Sequence, residues 1–239
     1  MSSQSSTQLF FLMQQKKQVR LIRIARALIL LVFFGLWELS ADLEWIDSFV
    51  FSSPSRVALC FTNLLLHQQL LYHIGMTLME TFLSFALVLF FTLAITTSLW
   101  LSNTVSKTLE PYLVVLNSLP KSALAPLLIV WLGANYKTII LTGMSVAIFG
   151  SILNLYTAFI EMDPEKIKLV QTLGGTKRDI LLKVMIPGNI PSLFSIMKVN
   201  IGLCLVGVII GEFIAAKIGL GYLIIYGSQV FRLLLLLVL

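Results

Sequence analysis

A chain of 239 residues with 58% hydrophobic and 12% charged residues carries about half the charge of a typical soluble domain, where roughly 25% of residues are charged. A water-soluble fold of this length cannot hide that much apolar surface, so the chain is read as an all-α, polytopic membrane helix bundle. The net charge of +6 points to no nucleic acid, because the basic residues gather at helix ends and leave no groove with interleaved aromatic rings.

Residues 1–15 are rich in serine and glutamine and are expected to be loose. Lys16, Lys17, Arg20, Arg23 and Arg26 then precede an apolar run from Ala27 to about Leu43. No small-residue cleavage site follows the run cleanly, so it reads as a first span entered from the cytoplasm, and not as a signal peptide. This divides the chain into a cytoplasmic N-terminal segment, 1–26, and a transmembrane domain, 27–239. Ser52 to Ser55 read as a turn and helix start. Val57, Phe61, Leu64 and Leu65 beyond them suit an amphipathic helix at the outer interface. His67 and His73 lack a third ligand nearby and read as interfacial polar residues, so no metal site is expected. Cys60 and Cys204 have no metal or disulfide spacing and read as packing residues.

Met76 to Leu101 is a second span, with Glu80 near its outer end. Leu109 to Leu132 is a third; Pro120 and Pro126 within it free carbonyls that a bilayer tolerates only where protein or water re-satisfies them. Thr138 to Phe159 is a fourth and Leu193 to Phe213 a fifth, the latter with the Gly207-x-x-x-Gly211 spacing that lets helices approach closely. Each is near the ~20 residues needed to cross a hydrocarbon core. Tyr222 to Leu239 would place Gly227, Ser228, Gln229 and Arg232 at mid-membrane, so the sixth helix is expected to be short or incomplete.

Between the fourth and fifth spans lies a polar interval, 161–191. Asp163 is placed to cap a helix that has Pro164 at its first position and Glu165 near its positive end. Ile167, Val170 and Leu173 line one face, and Gly174 and Gly175 can adopt the positive φ that ends a helix. Thr176 and Asp179 form a capping pattern before the run Ile180 to Ile186, which Pro187 is expected to stop. Five Lys or Arg residues in this interval match the five of the N-terminal segment. The predicted outer segments hold single ones, Arg56, Lys137 and Lys217, so the interval is read as cytoplasmic.

No catalytic motif is present, and Gly174-Gly175-Thr176-Lys177 lacks the glycine spacing of a phosphate loop. The chain is therefore read as non-enzymatic and without a cofactor, and any ATP hydrolysis must come from another subunit. Ionisable residues within spans are the other candidates, since a charge in lipid is costly and faces a bundle interior. Lys121 and Glu212 are expected to be buried in the bundle. Lys198 can snorkel from the end of its helix.

Several spaced motifs carry a family resemblance. Gly174, nine intervening residues, then Val184-Met185-Ile186-Pro187 resembles the G-x9-I-x-L-P loop of membrane permease subunits of ABC importers. Gly211-Glu212-Phe213-Ile214 and Gly219-Leu220-Gly221-Tyr222-Leu223-Ile224 are similar to the nitrate, sulfonate, taurine and thiamine-precursor branch. So are Leu119-Pro120-Lys121, Leu124-Ala125-Pro126 and Trp131-Leu132-Gly133. The resemblance covers roughly Pro54 to Phe231; Lys168-Leu169-Val170 depart from it, standing where the family has Glu-Ala-Ala. It implies the type I ABC importer permease fold, in which the family has a full final helix; this chain is expected to have five full transmembrane helices plus the short or incomplete sixth. The implied partners are ABC ATPase subunits, an extracytoplasmic substrate-binding protein, a second permease copy or homologue, and membrane lipid. The implied location is the cell membrane. Asp163, Ile167, Val170, Leu173, Gly174, Gly175, Thr176 and Lys177 would couple to the ATPase. The resemblance favours a small nutrient such as a sulfonate, nitrate or a pyrimidine vitamin precursor; as ionisable residues within spans, Lys121, Glu212 and Lys198 are the candidates for its route, with a structural ion pair equally open for Lys121 and Glu212. A stand-alone secondary transporter or channel is the alternative, but it would often show inverted repeats and several mid-depth charges. A non-transporting membrane scaffold is a third reading.

Overall fold

A computed structural model describes residues 6–43, 45–46, 52–67 and 70–229. The chain divides into two compact units between His67 and Gln68, and each is taken separately.

In the first unit, α1 runs from Ser6 to Asp42. It therefore includes most of the residues expected to be loose, and Ala27 lies well inside it. The reason is composition: the stretch has no proline, and leucine, methionine, glutamine, lysine and arginine are all good helix formers. α2, Pro54–His67, begins with proline at its first position, where a missing N–H costs nothing. Its Ser55 N–H and hydroxyl donate to Glu38 of α1, at 3.0 and 2.6 Å. A carboxylate thus meets the positive end of α2.

The second unit is built on three long helices: α3 (Leu70–Leu101), α6 (Tyr136–Ile160) and α10 (Ile190–Ala215), each long and apolar enough to cross a membrane. Their crossing is set by small residues. A Cβ at Gly207 would lie 2.8 Å from the Gly143 Cα, and one at Gly143 2.6 Å from Ser84 Oγ, so the helices touch backbone to backbone. Around that crossing, Val88, Leu99, Leu113, Ala147, Ile148, Ile152 and Cys204 form a buried core. α3 also buries a polar stripe, Thr77, Glu80, Thr81, Ser84, Thr92 and Thr96. Thr81 and Ser84 donate to the carbonyls of Thr77 and Glu80 at 2.7 and 2.8 Å, so these hydroxyls need no water.

The predicted third span is not one helix. α4 (Asn103–Ser118) and α5 (Lys121–Leu132) are bent by 100° relative to each other. Leu119 has φ −64° and ψ 142°, the extended conformation that a following proline imposes, and Pro120 cannot donate across the break. Lys121 is consequently the first residue of α5 and not a mid-helix residue. The described residues supply three spans, or four if the bent pair is one, against five predicted. α11, Leu220–Gln229, begins the predicted short sixth helix, whose remainder lies outside the described residues.

Candidate coupling segment and polar cavity

The polar interval folds as α7 (Pro164–Thr172), α8 (Lys177–Ile180), a π-helical turn (Leu181–Met185) and α9 (Ile186–Gly188). Asp163 Oδ1 accepts from the Glu165 N–H at 2.9 Å, so the predicted cap forms. Gly174 has φ +75°, and a Cβ there would meet nothing. Gly175 does not take a positive φ; it is confined because a side chain would strike Val170. At α8 the capping box closes: the Asp179 N–H donates to Thr176 Oγ1 at 3.3 Å, and Asp179 Oδ2 accepts from the Thr176 N–H at 3.0 Å. The Lys183 ammonium, 2.8 Å from Asp179, together with the Thr176 hydroxyl and N–H, holds the Asp179 carboxyl well below its usual range.

Two expectations are corrected here. Pro187 does not stop the helix. The Ile186 N–H bonds to the Leu181 carbonyl, five residues back. That wider turn shifts the register just where the proline ring would collide with a carbonyl four residues earlier. Ile167, Val170 and Leu173 also do not share one outward face. Ile167 and Val170 pack on a core of Leu155, Phe159, Ile180, Leu181 and Met185. Leu169 and Leu173 are the exposed pair, at 61% and 79%.

Beside this segment lies a cavity of about 520 Å³ between α5, α6 and α10. Glu161 and Ser192 line the end next to α7 and α9. Ala147 and Leu203 line the far end, roughly 21 Å along α6 and roughly 17 Å along α10 at ~1.5 Å per residue. Lys121 contributes a cation; Ser151, Asn154, Thr157, Ser195 and Asn200 contribute hydroxyls and amides; Ile196 and Val199 are apolar. The break at Pro120 is what brings Lys121 to this space.

Glu212 sits elsewhere, at the other end of α10, and is completely buried. Its Oε1 accepts from the Thr77 hydroxyl at 2.7 Å and its Oε2 from the Gly221 N–H at 2.6 Å. The Leu220 N–H donates to Thr77 Oγ1 at 2.9 Å, and the Gly219 N–H to His73 Nδ1 at 3.0 Å. Gly219, at φ +122°, has no room for a side chain because the Glu212 carboxylate fills that space. Glu80 meets Glu212 from α3 and is 1% exposed, so it belongs to the same buried cluster. This cluster ties the start of α11 to α3. His73, which also stacks on Tyr222, belongs to it, and among the described residues no group fit to hold a metal occurs.

The predicted route residues are thus separated. Lys121, half-buried, lines the cavity; Glu212 is buried as expected but bonded into the far cluster; Lys198 is exposed. Sequence reasoning missed Asn200 and Ser151, which have no motif, and Glu80's partner.

The chain matches the model of the family described as "Binding-protein-dependent transport system inner membrane component" over residues 90–236. It is 28% identical to a probable ABC transporter permease protein of Haemophilus influenzae, over 87% of this chain and 84% of that protein. It is 24% identical to the formylaminopyrimidine transport permease protein of Halalkalibacterium halodurans, over 82% of this chain and 77% of that one. A putative aliphatic sulfonates transport permease protein of Bacillus subtilis is also 24% identical, over 83% and 72%.

Proposed function

Since the chain belongs to the binding-protein-dependent transport system inner membrane component family, we propose that this ABC importer permease carries a small polar nutrient along the cavity between α5, α6 and α10. The observation that carries the reading is the cavity's position: its polar lining begins beside the segment 161–191 and reaches toward mid-span, which supports that segment as the part an ATPase would move. ATP-driven closure of two ATPase subunits moves the segment 161–191, and the bundle alternates between two packings. A substrate-binding protein supplies solute from outside, and a second permease copy or a homologue completes the route. The permease hydrolyses nothing itself. Named solutes of its relatives, aliphatic sulfonates and formylaminopyrimidine, set the size range.

Docking on the ATPase rests on Leu169, Leu173 and the turn at Gly174, with Asp163, Thr176 and Lys177 shaping the two caps. Ile167, Val170 and Gly175 hold the segment against its own bundle. The Gly174→Val variant is expected to insert and fold, because no atom opposes a side chain there. Its β-branched residue at positive φ costs about 1–2 kcal/mol and distorts the turn. ATPase subunits should then co-purify poorly, and solute-stimulated hydrolysis should fall several-fold. Wild-type stimulated hydrolysis in that variant would refute the docking surface.

Both the N-terminus and the segment 161–191 are assigned to the cytoplasmic side of the cell membrane. Thr176→Cys in intact cells is expected to resist an impermeant thiol reagent, while Ser55→Cys reacts. The reverse pattern would invert the topology.

A further inference from the structure

Ile167 and Val170 pack on the core that includes Phe159 and Met185, so the opposite face of α7 turns away from the bundle. At about 100° per residue, Leu169 and Leu173 stand about 40° apart on the wheel, with Lys168 on one flank of the pair and Lys166 on the other. Both leucines and both lysines are exposed.

The stretch from Lys166 to Arg178 holds four basic residues, Lys166, Lys168, Lys177 and Arg178, and no acidic one. All four are exposed. The one ion pair among the described residues is that of Lys183 with Asp179, so none of the four is matched within the chain. The neighbouring acids have other work. Asp163 caps the Glu165 N–H, Glu165 stands in the first turn of α7, where the helix end is positive, and Asp179 is held by Thr176 and Lys183. The bias of basic residues toward one side of a membrane accounts for the cations, but not for two bare leucines between them. An anionic bilayer surface is the weaker fit. A helix that lies in lipid presents a broad apolar face, whereas Ile167 and Val170 of α7 are turned into the bundle.

We propose that the partner ATPase receives α7 in a groove whose floor is apolar, for Leu169 and Leu173, and whose rim carries carboxylates. Those carboxylates face Lys166 and Lys168 and, across the turn at Gly174, Lys177 and Arg178. The inference rests on the segment 161–191 being the ATPase docking element, and it names the charge of the partner that the segment selects. A subunit with a basic rim is repelled, so the four cations choose among ATPases that share one cell.

The test uses the full-length permease in phosphatidylcholine nanodiscs, with the ATPase subunit purified from the assembled transporter as the probe. Acetylation by acetic anhydride, read by mass spectrometry, reports how open Lys166 and Lys168 are. The ATPase is expected to protect both several-fold, and phosphatidylglycerol added to the nanodisc to protect neither. Rates of binding separate rim from floor, because a rim charge acts mainly on encounter. Lys166→Glu with Lys168→Glu should slow association about tenfold, the low end of electrostatic steering, and Lys166→Arg with Lys168→Arg should not. The difference should vanish at about 1 M salt, where the screening length is about 3 Å. Leu173→Ala should instead speed dissociation at either salt concentration. Unchanged or faster association in the glutamate variant, with Leu173→Ala still dissociating faster, would overturn the acidic rim and leave the docking surface standing. Protection of the lysines by phosphatidylglycerol without ATPase would give the face to lipid and overturn the proposal. If no variant altered either rate, the docking reading and the proposal would fall together.

Discussion

Gly207→Leu is expected to remove the folded permease from the membrane, whereas Gly202→Leu on the same helix leaves its level unchanged. A Cβ at residue 207 would lie 2.8 Å from the Gly143 Cα and 3.1 Å from the Thr142 carbonyl oxygen; at residue 202 it would meet nothing within 4 Å. The obstructing atoms at 207 are mainly backbone, so no rotamer change clears them and α6 and α10 must separate. Overpacking a core costs about 1–3 kcal/mol when side chains can shift, and here they cannot, so the cost lies at or above the top of that range. The crossing involves α3 as well, because Gly143 also faces Ser84 and Val208. Size-exclusion profiles of solubilised membranes measure the outcome. A normal monodisperse peak for Gly207→Leu would show that the close crossing is dispensable.

Glu212→Ala should be nearly as damaging, and Glu212→Gln much less so. Removing the carboxylate leaves the buried Gly221 N–H without its acceptor, while the Thr77 hydroxyl falls back on the His73 carbonyl at 3.2 Å. A buried orphan donor costs about 1–3 kcal/mol, and the space vacated beside Gly219 adds a cavity cost. Glutamine fills the same volume. Its carbonyl can take the Gly221 N–H, and its amino group can donate to Thr77 Oγ1 once that hydroxyl turns to His73. The expected order in thermal inactivation is wild type, then Gln within a few degrees, then Ala far below. Equal losses for Gln and Ala would mean that the negative charge itself, and not the bonding pattern, holds α11 to α3.

The long helices α3, α6 and α10 were legible because an apolar run of sufficient length has few other fates. The cap at Asp163 and the turn at Gly174 were legible because each depends on one residue's local chemistry. What failed was phase and direction. A hydropathy reading passes smoothly through Leu119-Pro120 and cannot register a 100° bend, so it put Lys121 inside one long helix where the structure makes it the first residue of α5. The spacing of Ile167, Val170 and Leu173 gave a common face, but which of them turns inward depends on where Phe159 and Met185 lie. Glu80 and Glu212, or Ser151 and Asn200, meet only through the alignment of separate helices. Nothing near either member of a pair in the chain announces the other.

The widened turn at Leu181–Met185 has a geometric consequence for reading related chains. It holds one residue more than an α-helical turn, and each residue advances a helical wheel by about 100°. An uninterrupted wheel drawn from Lys177 to Ala215 therefore misassigns every side chain on one side of the turn by more than a quarter circle. Deleting Lys183, which is exposed, would restore an ordinary α turn and keep Thr176 and Asn200 in their present azimuths. Inserting a residue there would swing one against the other. Length variation among homologues at this point should accordingly run toward loss and not gain.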